Sequence, residues 1–131
     1  MYQIKEKKRS ALDFELPFAG DLDPANRWAV LSEKIPWDAL EQEHKGWTDV
    51  ERKSGTITFR MALGTLIIQK KLKFNDEETF GQIRENPYLQ YLLGLNKFVI
   101  KKPFDLSDMA VFRENISPDM VSRIDREYPL K

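Results

Sequence analysis

Lysine and arginine side chains are concentrated in the middle of the chain, and their chemistry is suited to binding phosphate. Between Arg52 and Lys102 there are ten basic and four acidic residues, whereas Ser10 to Glu51 contains three basic and ten acidic residues. The blocks offset one another, so the formal net charge of the 131 residues is zero. A block this basic can still attract phosphates, provided that the fold gathers its side chains on one side.

Two segments hold the candidate phosphate contacts. One ends an apolar stretch with KKLK, and the other, NKFVIKKPFDLSDMAVFREN, has lysines before a helix that Ser107 could cap. Lysines in a loop beside a helix start can clamp a phosphate, although the same pattern fits an ordinary solvated loop. The candidates are Lys70, Lys71, Lys73, Lys97, Lys101, Lys102 and Arg113, the last projecting outward from the helix.

Catalytic chemistry has little support in the sequence. There is no cysteine and one histidine, His44, and we find neither a Gly-x-Ser-x-Gly motif nor a glycine-rich phosphate loop. We therefore predict no catalytic residue, no metal site and no cofactor. We expect His44 to be a packed or half-exposed helix residue, and Trp28, Trp37 and Trp47 to belong to the core rather than to a base-stacking platform.

The absence of cysteine suits a reducing compartment, and no stretch approaches the roughly 20 apolar residues of a membrane span. We therefore expect a soluble, cytoplasmic protein without a membrane partner.

Helix starts are the clearest structural signal. Three capping residues stand directly before proline, whose fixed φ and missing N–H suit the first helical position. They predict helices starting at Asp23-Pro24, Asn86-Pro87 and Ser117-Pro118, and Pro36 predicts another with Trp37, Leu40, His44 and Trp47 along one stripe.

The segment from Ile57 to Leu72 is apolar at nearly every position, which predicts a central buried helix, and Gly64 would allow a close helix crossing. Asn75 and Glu78 then predict a capping box that starts the next helix. Two helices joined by so short a corner resemble a helix-turn-helix, but an ordinary corner in a bundle looks the same. The acids Asp76, Glu77 and Glu78 argue for a structural start to the second helix.

Two segments lack a helical pattern. ALDFELPF, from Ala11 to Phe18, alternates like an extended arm, and DVERKSGT, from Asp49 to Thr56, reads as a polar linker. The sequence thus predicts an all-α compact bundle of about six or seven short helices with a helix-turn-helix-like corner. We assign residues 1–22 to an extended N-terminal arm and residues 23–131 to the helical domain.

Several of these segments together resemble a known protein family. RMALGTLIIQKKLKFNDEETFGQIRENPYLQYLLGL, followed by KPFDLSDMAVFREN, resembles the N-terminal domain of bacterial insertion-sequence transposases, the group with an RNase H-like domain carrying an acidic catalytic triad. The resemblance spans roughly Ile35 to Ile116, and IRENPYLQYLLGL is its most specific part. It implies a helical DNA-binding module that recognises the terminal inverted repeats of the element and positions them for the catalytic domain.

The sequence differs from that family in ways that limit which of the family's properties can be expected of this chain. It reaches Lys131 without a catalytic domain, so we expect a fragment or truncated relative without cleavage activity. Where basic or histidine residues are expected around Phe112 and Arg113, it has Ala110, Val111, Glu114 and Asn115, and Asn75 replaces the usual capping serine.

Two functions remain open. The first is DNA binding at element ends, with nucleoid association when bound. The second is a protein-interaction or assembly module in which the acidic half and the apolar arm dock another subunit or the transposase catalytic domain, and a homodimer would suit the pairing of two ends. A third function, that of a small free-standing enzyme, is disfavoured because the sequence offers no candidate active site.

Overall fold

Seven α-helices and one short hairpin form the described part of the chain. The computed structural model describes residues 10–17, 20–53 and 55–131. The helices are α1 (Arg27–Lys34), α2 (Trp37–His44), α3 (Phe59–Leu72), α4 (Asp76–Glu85), α5 (Pro87–Leu92), α6 (Asp108–Asn115) and α7 (Pro118–Glu127). Strands β1 (Val50–Arg52) and β2 (Gly55–Ile57) pair antiparallel between α2 and α3, and a 3-10 turn (Ala11–Asp13) precedes α1. The predicted bundle of six or seven short helices is confirmed.

Helix α3 is the centre of the bundle. All residues from 61 to 68 are buried, and α2, α4, α6 and α7 pack against this helix, while α1 packs on α5. Thr65 donates its hydroxyl to the Met61 carbonyl at 2.7 Å, so the polar residue in this stretch is satisfied within the helix. The predicted buried helix is confirmed, but it starts at Phe59, capped by the Thr58 hydroxyl, and Ile57 lies in β2.

Two of the three predicted proline starts are confirmed. The Asn86 side chain accepts from the Tyr88 N–H at 2.8 Å, and the Ser117 hydroxyl accepts from the Met120 N–H at 3.4 Å. The start at Asp23-Pro24 is wrong, because Asn26 caps α1 by accepting from Trp28 N–H at 2.8 Å. Asp23 instead accepts from the Ala25 N–H and forms a turn ahead of the helix.

The predicted polar linker is also wrong, because its residues form most of the hairpin. Val50 pairs with Ile57 and Arg52 with Gly55, and Gly55 takes the positive φ of 132° that this reversal requires. The side chain of Ile57 is buried in the main core, which anchors the hairpin. Helix α2 ends at His44, so Trp47 lies beyond it, yet Trp47 packs edge-on against Phe112 at 6.2 Å.

The packing predicted for His44 and the tryptophans is confirmed. His44 ends α2, is half-buried, and lies with its ring 5.2 Å from that of Phe59. Trp28 and Trp37 are buried in the main core, and Trp47 packs against it.

The described part of the N-terminal arm packs onto the domain. Phe14 is buried edge-on against Tyr91 at 6.0 Å, in a small second core that also contains Ala11 and Leu22. Two backbone hydrogen bonds of 2.9 Å join Glu15 to Asn96 and Phe98 in the segment after α5. Residues 1–9 and 18–19 of the predicted arm lie outside the described residues.

Gly64 lies where α3 meets the end of α5, in agreement with the predicted close crossing. A Cβ atom at this position would lie 2.8 Å from Leu93 Cδ2, and Leu93 is itself buried. We expect Gly64→Val to lower the free energy of unfolding by about 1–3 kcal/mol, because the core has no space for the added atoms.

Gly81 in α4 is the matched control, since a Cβ there would have no atom within 4 Å. Gly81→Ala should raise the free energy of unfolding by about 0.5–1 kcal/mol through helix propensity alone. Urea denaturation of both variants would measure these opposite changes, and equal stability of Gly64→Val and the parent would contradict the close crossing.

Candidate nucleic-acid interface

The corner between α3 and α4 is short and tightly hydrogen-bonded. Lys73 takes a left-handed conformation with φ of 57°, and the Phe74 N–H donates to the Gln69 carbonyl at 3.3 Å. Asn75 and Glu78 then form the predicted capping box, with side chain to backbone distances of 2.7 and 2.9 Å. The second helix therefore starts with acids that serve its own N-terminus.

Three cationic side chains lie near this corner. Lys70 and Lys73 are exposed at the end of α3, and Arg113 of α6 approaches the start of α4. Lys70 and Arg113 also line one cleft of about 450 Å³, whose apolar lining includes Leu66, Ile116 and Val121. The fold therefore brings together residues of α3 and α6 that lie about 40 positions apart in the sequence.

Arg113 is held by a carboxylate. Its guanidinium donates to both oxygens of Asp76 at 2.6 and 2.9 Å, and Gln69 donates to Asp76 Oδ1 at 2.8 Å. These hydrogen bonds from Arg113 lower the pKa of Asp76, and the same contact raises the pKa of Arg113. Arg113 thus braces α6 against α4 while its side chain remains 47% exposed.

Lys71 differs from its neighbours because its side chain lies inside the domain. It is only 5% exposed, and its ammonium donates to Asp125 Oδ1 at 2.9 Å and to the Asp125 carbonyl at 3.2 Å. The structure does not place Lys71 with the exposed cations of α3. Its contacts join α3 to α7.

The second group of candidates lies on the segment after α5, which we call the lysine loop (residues 96–103). Lys97, Lys101 and Lys102 are all exposed on it. The fully buried Gln90 binds the backbone of Val99 through both ends of its amide, accepting at 2.7 Å and donating at 3.2 Å. Arg84 of α4 donates to the Lys101 carbonyl at 2.9 Å, so the loop backbone is fixed at two neighbouring points.

The end of the lysine loop is joined to the hairpin by a chain of charges. Lys102 pairs with Asp105 at 2.8 Å, and the hydrogen bond from Lys102 lowers the pKa of Asp105. The Asp105 N–H donates to Asp108, and Arg52 of β1 pairs with Asp108 at 2.6 Å. Ser107 makes no capping hydrogen bond, so its predicted capping role is wrong: Asp108, the first residue of α6, holds the backbone here.

Four candidates have no carboxylate partner within the described part of the chain. Among residues 10–17, 20–53 and 55–131, no carboxylate lies within ion-pair distance of the ammonium groups of Lys70, Lys73, Lys97 or Lys101. Lys71, Lys102 and Arg113 each have a carboxylate partner.

The two cation groups lie towards opposite ends of α4. Asp76 at its start contacts Arg113, and Arg84 near its end contacts Lys101. The rise of an α-helix puts Asp76 and Arg84 about 12 Å apart along the axis. This separation is close to the width of the major groove of B-form DNA, about 12 Å.

Sequence reasoning missed Gln90 and Arg84, which position the loop. The available signal was a glutamine inside the apolar run YLQYLL, because a polar residue in a core stretch is usually hydrogen-bonded. Arg84 was counted in the basic block, but its contact with a backbone 17 residues away depends on the tertiary fold.

Within the described ranges, no group of three or more His, Asp or Glu side chains is arranged to hold a metal ion. No helix in that part of the chain combines the length and apolar character needed to cross a membrane.

A family model described as Transposase domain (DUF772) matches residues 17–115, which include the corner, the lysine loop and all seven candidate cations. No curated protein and no solved structure matches the chain significantly.

The buried position of Lys71 can be tested against its exposed neighbour. Lys71→Met should lower the free energy of unfolding by about 1–3 kcal/mol, because Asp125 loses its partner at a partly buried site. Lys70→Met should change it by less than about 0.5 kcal/mol, as is usual at the surface. Urea denaturation at neutral pH measures both, and equal effects would contradict the assigned burial of Lys71.

The pair of Asp76 and Arg113 makes a pH-dependent contribution to stability. Because the folded protein lowers the pKa of Asp76, the contribution is complete above the ordinary aspartate pKa of about 4 and is lost as the pH falls through the lowered value. Asp76→Asn should therefore cost about 0.5–1 kcal/mol at pH 7, the range for a partly exposed ion pair, and less as the pH falls below about 4.

Urea denaturation at pH 7 and at several values below 4 measures the stability difference between parent and Asp76→Asn. Glu77→Gln, at the exposed next position of α4, is the control and should show a smaller difference at pH 7. A constant difference between parent and Asp76→Asn at every pH would contradict the contribution of this ion pair.

Proposed function

Because the chain belongs to the Transposase domain (DUF772) family, we propose that it is the module that binds the DNA ends of a transposable element. It recognises the terminal inverted repeats and presents them to the transposase catalytic domain, which supplies the cleavage chemistry. The observation that carries this proposal is the presence of four exposed lysines without a carboxylate partner among the described residues, two near each end of α4.

Unpaired cations matter because they can release counterions from DNA without first losing a partner in the protein. Lys70 and Lys73 contact phosphates at one end of α4, and Lys97 and Lys101 contact them at the other. Asp76 and Arg84, which lie near these two groups, are about 12 Å apart along α4, and this spacing supports contacts to the two backbones that border one groove.

The paired cations have different roles in the proposal. Lys102 and Arg113 are exposed and reach phosphates by exchanging Asp105 and Asp76 for DNA. Lys71 supports the interface from inside, because its ammonium fixes the last turn of α3 to α7. The acids at the start of α4 disfavour insertion of that helix end into a groove, so α4 serves mainly as a spacer between the lysines.

One observation argues against the part of the assembly alternative that concerns the apolar arm. In that alternative the apolar arm docks another subunit, but Ala11 and Phe14 of the arm are buried in the second core of this chain. Leu12 is the exposed large apolar residue of the described arm, which is a small surface for a stable contact. DNA binding therefore explains more of the exposed features.

The proposal is tested by titrating the protein with two labelled duplexes, one carrying the inverted repeat that flanks its gene and one of unrelated sequence. Engagement of four to six phosphates predicts a slope of about −4 to −5 for log affinity against log salt concentration. End recognition predicts tighter binding to the repeat at each salt concentration. Weak binding to both duplexes without salt dependence would contradict the proposal and favour the assembly role.

Charge reversal locates the contact surface in the same assay. Lys101→Glu combined with Lys102→Glu should weaken binding at least tenfold and make the salt slope shallower by about 2. Lys34→Glu combined with Lys45→Glu is the matched control, because it makes the same charge change at exposed positions in the acidic half. Equal losses in both double variants would mean that net charge, and not the lysine loop, governs binding.

A further inference from the structure

Ile100, in the lysine loop, is the most exposed large apolar residue in the described part of the chain. Its side chain is 68% exposed, whereas the core residues of this fold are less than 10% exposed. We propose that Ile100 is a wedge that enters the minor groove of the bound duplex and partly unstacks one base step. This inference rests on the DNA-binding function proposed above and names a residue that deforms the DNA.

Single exposed apolar residues are common on protein surfaces, so exposure alone carries no argument. The backbone around Ile100 distinguishes it from such residues. On one side, Val99 is bound by the amide of Gln90, which is fully buried and also donates to the Ile83 carbonyl at 2.9 Å. On the other side, the Lys101 carbonyl accepts from Arg84 at 2.9 Å.

These two attachments hold the isoleucine outward. The loop cannot turn its side chain inward without breaking the hydrogen bonds of Gln90, and the next segment is fixed because Pro103 and Phe104 are buried. A buried amide that loses its partners costs about 1–3 kcal/mol, so the outward position is strongly preferred. The protein thus presents a branched apolar side chain in a preset position, which reduces the entropy cost of inserting it into a partner.

The charges beside Ile100 indicate what that partner is. Lys97 precedes it by three residues and Lys101 follows it directly, both exposed and without a carboxylate partner among the described residues. Proteins that bend DNA from the minor groove combine an apolar wedge, often isoleucine, leucine or phenylalanine, with cations that hold the phosphates beside the kink. An apolar protein surface would instead have to desolvate both ammonium groups, which disfavours a protein as the ligand.

The test measures DNA bending and binding separately. The probe is a duplex of about 30 base pairs with a flexible TA step at its centre, dyes at both ends, and 2-aminopurine in place of the adenine at that step. At about 50 mM salt and saturating protein, the parent should increase energy transfer between the dyes and increase 2-aminopurine fluorescence. Both signals report the kink, while titration gives the affinity.

Ile100→Ala should bind with about 3- to 10-fold lower affinity but lose most of the energy-transfer and 2-aminopurine changes at saturation. Ile100→Leu should retain both changes, because it keeps an apolar side chain of similar volume. Val111→Ala, at an exposed apolar position on α6, is the matched control and should behave like the parent. Thermal unfolding of each variant should match the parent, since these side chains are at the surface.

The outcomes separate the wedge from DNA binding itself. A parent that binds the duplex without bending it, or an Ile100→Ala variant that bends it as the parent does, overturns the wedge and leaves DNA binding intact. A parent that binds no duplex at any salt concentration overturns both the wedge and the proposed function.

Discussion

The burial of residues 61–68, the middle of α3, is the constraint on which the rest of the structure depends. A helix with eight consecutive buried residues cannot face solvent on any side, so other elements must cover its whole circumference. Helices α2, α4, α6 and α7 supply that cover, and Gly64 permits the close approach of the end of α5. At the end of α3, beyond this buried run, Lys70 and Lys73 are exposed, whereas Lys71 lies inside against Asp125.

Ion pairs fix several basic residues of this domain, whereas Lys70, Lys73, Lys97 and Lys101 have no carboxylate partner among the described residues. Lys71, Arg113 and Arg52 each join two elements through a carboxylate, and each contact ties a helix or strand to a neighbour distant in sequence. Such contacts add modest stability at exposed positions, but they define which faces of the helices meet. These four lysines come from two segments that lie near opposite ends of α4.

The lysine loop shows how a surface segment without regular structure is kept in one conformation. Its position depends on the buried Gln90 amide and on Arg84, which donate to backbone carbonyls of the loop, rather than on contacts among the lysines themselves. Because the amide is fully buried, its hydrogen bonds are costly to lose, and the loop is held more firmly than its composition suggests. A loop fixed in this way can present charged and apolar side chains together to one partner.

The sequence by itself determined the helical class, the central position of α3, the capping box at Asn75 and the proline starts of α5 and α7. These features depend on neighbours within one or two turns, so local patterns contain the required information. The structure itself was needed to show that Asn26 and not Asp23 caps α1, and that Val50 pairs with Ile57, whose side chain is buried in the core. Only the tertiary structure placed Lys71 inside against Asp125 and paired Arg113 with Asp76, because the energy of a charge depends on burial and on partners distant in sequence.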